Sequence, residues 1–124
     1  MRIILSCITA LLFFTAANAQ TDSAVSFKTT THSFGKIKQG KPVTTEFTFL
    51  NRSDKSVIIE TATAECGCTT PDYPKAPILK GKSGVIKVTY NAENPGKFTK
   101  KVTVKFANIK LPIELTIEGE VTPS

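Results

Sequence analysis

The chain has 124 residues, 16 Lys and Arg against 10 Asp and Glu, a formal net charge of +6, one histidine and three cysteines. That length gives one domain able to bury a two-layer core without staples, and so few cysteines exclude a disulfide scaffold. The lysines are scattered, no aromatic residues are interleaved as stacking platforms, and no nucleic-acid motif occurs, so the charge reads as a solvated, aggregation-resistant sheet face with at most a weak pull toward anionic surfaces.

Met1-Arg2 is a positively charged start, and Ile3 to Phe14 is almost wholly apolar, broken by Ser6 and Thr9. Thr15-Ala16-Ala17-Asn18-Ala19 then ends in an A-x-A site before Gln20. This pattern predicts a secretory signal peptide over residues 1–19, cleaved after Ala19. The apolar run falls short of the roughly 20 residues a membrane-spanning helix needs. Cys7 lies in mid-run, away from the cleavage site, and reads as an apolar residue that leaves with the leader. The mature chain is expected to carry no transmembrane segment. Its expected destination is the periplasm, or beyond it the cell envelope or the medium. Export adds to the case against a nucleic-acid partner.

Gln20 to Ala24 is a polar tether. Beyond it no helical period is sustained, and apolar residues alternate as they do in strands. Val25 to Thr29 starts the first strand, and Phe34-Gly35-Lys36-Ile37 follows. Gln39-Gly40-Lys41-Pro42 makes a turn, with Pro42 at a strand entry where no interior hydrogen bond is lost. Val43, Thr45, Phe47 and Phe49 fall on one face, and Thr44, Glu46 and Thr48 on the other. Asn51 to Lys55 is a polar turn. Val57 to Ala62 is a strand that leads straight to Cys66-Gly67-Cys68. Pro71, Pro74 and Pro77 make Thr69 to Pro77 irregular or edge structure. After a turn over Lys80 to Gly84, Ile86, Val88 and Tyr90 share a face, and Asn91 to Gly96 is a loop. Phe98, Val102, Val104 and Phe106 share the next face, with Lys100 breaking the pattern. A hairpin through Ala107 to Lys110 leads to a last strand with Ile113, Leu115, Ile117 and Val121 inward. The outward lysines of one strand then meet Glu114, Glu118 and Glu120 of the other, each pair worth roughly 0.2–1 kcal/mol.

About seven short strands and no helix predict an all-β, immunoglobulin-like two-sheet antiparallel β-sandwich over residues 25–124. The Cys-Trp-Cys hallmark of antibody domains is absent, because the chain has no Trp.

Several motifs recur in order: Phe34-Gly35-Lys36-Ile37, Phe47-Thr48-Phe49-Leu50-Asn51, Cys66-Gly67-Cys68-Thr69, the three prolines, Gly84 to Asn91, and Pro95-Gly96-Lys97-Phe98. Together they resemble the DUF1573 family over most of Val25 to Val121. One departure is the turn before Gly84, usually Pro-Gly and here Lys80-Gly81. The resemblance implies a small exported bacterial protein of a kind abundant in Bacteroidetes. It also implies an immunoglobulin-like domain akin to ASPM–SPD-2–Hydin and major-sperm-protein domains. It implies no established activity.

Chemistry beyond packing is expected at Cys66 and Cys68, and three readings of the pair stand open. An oxidising compartment favours a disulfide or redox pair, and Gly67 permits the tight turn it needs. So small a ring closes little loop entropy, and no helix N-terminus or His is evident to tune a thiolate. Two thiolates also suit Cu(I) or Zn(II), but a structural zinc site needs four ligands. The chain offers only these two cysteines and His32. The third reading is two sulfurs packed at a corner of the sheet. His32 reads as a lone surface imidazole. Thr69, Thr70, Asp72 and Tyr73 are candidates for an interaction loop. No Ser-His-Asp set, acid/base carboxylate pair or phosphate loop occurs, so a non-enzyme without cofactor is expected. Its partner would be an envelope or periplasmic protein, bound by strand addition.

Overall fold

The computed structural model describes residues 24–124. The expected signal peptide, its Cys7 and tether residues 20–23 lie outside the described residues. The strands are β1 (Val25–Phe27), β2 (Thr31–Lys38), β3 (Val43–Asn51), β4 (Ile59–Ala64), β5 (Thr69–Asp72), β6 (Ser83–Tyr90), β7 (Gly96–Phe106) and β8 (Ile113–Thr122). They form two four-stranded sheets, in the orders β1-β3-β6-β5 and β2-β8-β7-β4. The all-β sandwich expected from the alternation is therefore what the chain forms.

The inward faces are the ones the alternation picks out. Phe47, Phe49, Ile86, Val88 and Tyr90 come from the first sheet, and Val102, Val104, Phe106, Leu115, Ile117 and Val121 from the second, all buried. Each such side chain contributes about 1.5–3 kcal/mol by leaving water. Two aromatic groups mark the poles of this core. Phe49 packs on Phe27 and Phe106, with ring centroids 5.3 and 5.4 Å away. Tyr90 stacks on Phe98 at 4.0 Å. Gly84 makes room for the first group: a Cβ there would lie 2.8 Å from Cε1 of Phe49.

Two details depart from the expected plan. The strands number eight, and β2 pairs with β8 in parallel, from Thr31↔Thr116 to Lys38↔Thr122. The added strand is β5, formed in the proline-containing stretch expected to be irregular or edge structure, and the parallel pairing comes from the path after β1. The first strand runs antiparallel to β3 only as far as Phe27. The chain then crosses to the other sheet at residues 28–30 without reversing, so β2 enters beside β8 pointing the same way. Side-chain alternation reports which face is buried, and does not report the neighbour or its direction. Gly35, at φ +67°, sits where the register shifts between Ser33 and Lys36, which bulges this edge.

The β7–β8 hairpin forms as expected. Lys101 lies opposite Thr116 and reaches diagonally to Glu114, with Nζ–Oε1 at 3.3 Å. Lys97 is opposite Glu120.

The connections gather at two opposite ends. Residues 52–58, 73–82 and 107–112 lie at the end where Ala24 enters, for its carbonyl accepts from Arg52 N–H at 2.8 Å. We call this the entry end. Residues 39–42, 65–68 and 91–95 and the C-terminal tail lie at the other, the cysteine end.

Candidate functional site

Strand β4 ends in one sheet at Ala64, and β5 begins in the other at Thr69. Glu65 to Cys68 carry the chain across. Glu65 continues the β4 ladder: its N–H donates to Lys101 O, and its carboxylate accepts from Lys101 N–H, both at 3.3 Å. Thr69 N–H donates back to Cys66 O at 3.4 Å and closes a four-residue turn, with Gly67 exposed at its tip. Cys68 O accepts from Asn91 N–H at 3.0 Å, which starts the pairing of β5 with β6.

Within this turn the Cys66 and Cys68 sulfurs are within bonding distance, and their Cα atoms are 5.3 Å apart. That separation lies inside the range of disulfides. Both side chains are half-buried, and Cys68 packs against the core. The Thr69 side chain is buried, with Oγ1 3.7 Å from Cys66 Sγ and 3.6 Å from Cys68 Sγ. One hydroxyl therefore faces both sulfurs.

The remaining expected site residues do not form one loop. Thr69, Thr70 and Asp72 belong to β5, opposite Tyr90, Thr89 and Lys87 of β6. β-Branched residues favour a strand, and Pro71 is tolerated because β5 is an edge. Only Tyr73 lies beyond the strand, and Lys75 Nζ sits 3.3 Å from its ring centroid, a cation–π contact. His32 is on β2, half-buried and edge-on to Phe34 at 4.7 Å. The β2 strand is three positions from β4 in its sheet, about 14 Å at the usual strand spacing. His32 therefore does not join the cysteines. Among the described residues, no three His, Cys, Asp or Glu side chains gather as a metal site.

Asn51, read from the sequence as the start of a polar turn, is an organising residue. It is fully buried. Its Nδ2 donates to Lys55 O at 2.8 Å and Ile78 O at 2.9 Å. Its Oδ1 accepts from Ser53 N–H at 2.9 Å and Ser53 Oγ–H at 2.7 Å. This one side chain ties the 52–58 loop to the 73–82 loop. The available signal was parity: Asn51 follows Phe47 and Phe49 on the inward face, where a polar residue needs partners.

A family model described as "Protein of unknown function (DUF1573)" matches residues 25–121. The chain belongs to the DUF1573 family. No curated protein matches its sequence. The fold has clear neighbours among solved structures. PapD-like domain 7 of human CEP192, an ASH domain, superposes with TM-score 0.70 at 8% identity, covering 82% of this chain and 87% of that one. A protein of unknown function from Porphyromonas gingivalis gives 0.67 at 12% identity, covering 83% and 51%. The YadV chaperone gives 0.53 at 14% identity, covering 82% and 53%. The DUF1573 chain thus spans about half of the latter two. At these identities the likeness is one of fold: a PapD-like, immunoglobulin-like sandwich.

Proposed function

We propose that this DUF1573 domain is an exported, non-enzymatic binding module of the periplasm or cell envelope, and that it takes a partner strand at the β4 edge. The observation that carries this reading is the contrast among the four sheet edges. The β1 edge is three residues long. The β5 edge is four residues long and contains Pro71. The β2 edge is bulged at Gly35 and carries Lys36 and Lys38. Short length, proline, bulges and lysine are the devices that discourage edge-to-edge pairing. Strand β4, Ile-Glu-Thr-Ala-Thr-Ala, shifts register between Ile59 and Thr61, but it carries no proline or lysine and runs regularly from Thr61 to Ala64. It pairs with β7 on one side, and main-chain groups on its other side suit strand addition. A chaperone among the fold neighbours is compatible with this use of the fold.

The test places a photo-crosslinking residue at Thr61 on β4, or at Thr44 on the opposite sheet, in the exporting cell. A discrete adduct from Thr61 alone, lost when Thr63→Lys guards the edge, is the expected result. Equal adducts from both positions, or none from Thr61, would overturn the reading.

One observation favours a second reading, thiol exchange or copper handling through Cys66 and Cys68. The Thr69 hydroxyl faces both sulfurs, so it can donate to whichever carries the thiolate after a dithiol has reduced the pair. Intact mass of the native protein with and without alkylation decides the starting state. A bridged pair runs about 2 Da light and resists alkylation, through loss of two hydrogens. Alkylation of both thiols would exclude a standing bridge and make copper uptake the next assay.

A further inference from the structure

The entry end carries a feature that strand addition at β4 does not use. Leu111 is 77% exposed, Leu79 61%, Ile58 41% and Leu50 40%. These are the large apolar side chains left exposed among the described residues, and all lie at or beside this end. Leu79 is in the loop after β5, Leu111 in the β7–β8 hairpin, and Ile58 just before β4. The loops are tied at their bases: Val57 and Ile78 exchange both backbone bonds, at 2.9 and 2.8 Å, and Ala107 N–H donates to Ile58 O at 2.9 Å. The apolar tips are thus held at one end of a stiff sandwich.

Their surroundings are basic. Arg52, Lys55, Lys75, Lys80, Lys82, Lys105 and Lys110 lie in or within two residues of the same loops, against Asp54, Glu60, Asp72 and Glu114. At the cysteine end Lys38, Lys41 and Lys97 are balanced by Glu65, Glu93 and Glu120. The excess charge is therefore concentrated where the apolar tips are. Lysines with long apolar stems around protruding leucines suit a boundary between water and anionic headgroups. The depressions at Gly35–Gly119, at Asp72–Gly84 and at Thr61–Thr103 are lined by none of the four. The chain preceding the domain joins at this same end, at Ala24.

We infer that the entry end docks on an anionic phospholipid surface, with Leu79 and Leu111 entering the headgroup region and the surrounding lysines neutralising the lipid charge. The β4 edge, along the side of the sandwich, stays open for a partner while the end is docked.

The test is co-sedimentation of the protein, purified from the exporting cell, with phosphatidylglycerol–phosphatidylethanolamine vesicles and with phosphatidylcholine vesicles, at low and at physiological salt. Preferential binding to the anionic vesicles, weakened by salt, is expected. Leu79→Ser with Leu111→Ser should lower it on the order of tenfold, with no change in urea midpoint because both side chains are exposed. Lys80→Glu with Lys82→Glu should lower it by at least about fivefold per site. Lys41→Glu with Lys97→Glu, at the cysteine end, should change it much less. Equal losses from the two lysine pairs would mean diffuse charge attraction and overturn the proposal. So would binding indifferent to the leucines. Absence of binding to anionic vesicles would also overturn it and assign the leucine tips to a protein partner. The Thr63→Lys edge variant should bind vesicles like the parent, so this inference and the strand-addition reading fail separately.

Discussion

The two ends of the sandwich differ in what they leave exposed. At the cysteine end the segments bond to one another. Gln39 N–H donates to Thr122 O, Gly40 N–H to Ala92 O and Asn91 N–H to Cys68 O, at 3.0, 2.9 and 3.0 Å. The Gln39 side chain adds a bond to Glu93 O at 2.9 Å. Ala92 is fully buried there at φ +57°, a conformation held by its surroundings. At the entry end the loop bases are also bonded to one another, by the Asn51 side chain, the Val57–Ile78 pair and the Ala107 N–H to Ile58 O bond, but Leu79 and Leu111 project beyond them. On the proposed lipid docking, the difference separates a scaffold end from a docking end. The end with the most conspicuous sequence motif leaves no large apolar side chain exposed among the described residues, and the end without one presents four, with an excess of basic residues around them.

The largest expected effect breaks the base of the entry end. Asn51→Ala leaves the Lys55 and Ile78 carbonyls and the Ser53 amide without their side-chain partner, and should cost about 3 kcal/mol. Urea unfolding measures it, and hydrogen exchange should rise first over residues 52–58 and 78–82. Gly84→Leu drives a side chain into the Phe49 ring and should cost about 2 kcal/mol by the same assay. Both act on the entry half of the core, so neither should speed exchange at the cysteine end below the global unfolding limit.

Two smaller effects probe the cysteine end. Burial pushes the Tyr90 phenol up from its ordinary value, so the folded state favours the neutral form. The stability this contributes is fully present below about pH 10, the ordinary tyrosine value, and is lost as pH rises through the raised one. Urea midpoints at pH 9 and 11 should show that fall, and Tyr90→Phe should flatten it. Replacing Cys66 and Cys68 together by serine should cost less than about 1 kcal/mol, because a bridge between residues two apart would close almost no loop. A loss of several kcal/mol would mean that the sulfurs, and not the backbone bonds around them, hold this end. Lys101→Ala should be the least of all, at about 0.5 kcal/mol, because its ion pair with Glu114 is half exposed.

The fold was legible because burial follows parity. The alternation of Phe47 and Phe49, of Ile86, Val88 and Tyr90, and of Val102, Val104 and Phe106 is read directly from the chain. The crossing at residues 28–30 was not, because Lys28-Thr29-Thr30 contains no turn signal and the chain switches sheets without turning. The Cys66–Cys68 turn was legible as a tight turn able to bring the two sulfurs together. Its hydroxyl neighbour was not, since Thr69 was grouped with Thr70, Asp72 and Tyr73 as a loop. Strand pairing with Tyr90 turns Thr69 inward, while Thr70 remains exposed. Leu79 and Leu111 were passed over because each lies in a loop, and only the fold brings those loops to one end.

The most direct test of the account is partner capture by the Thr61 crosslinker in the Cys66→Ser, Cys68→Ser double variant. The account predicts the same adduct at the same yield, with the domain folded, because β4 does the binding and the cysteine turn is scaffold. Loss of the adduct from a folded double variant would contradict it and transfer the function to the thiols.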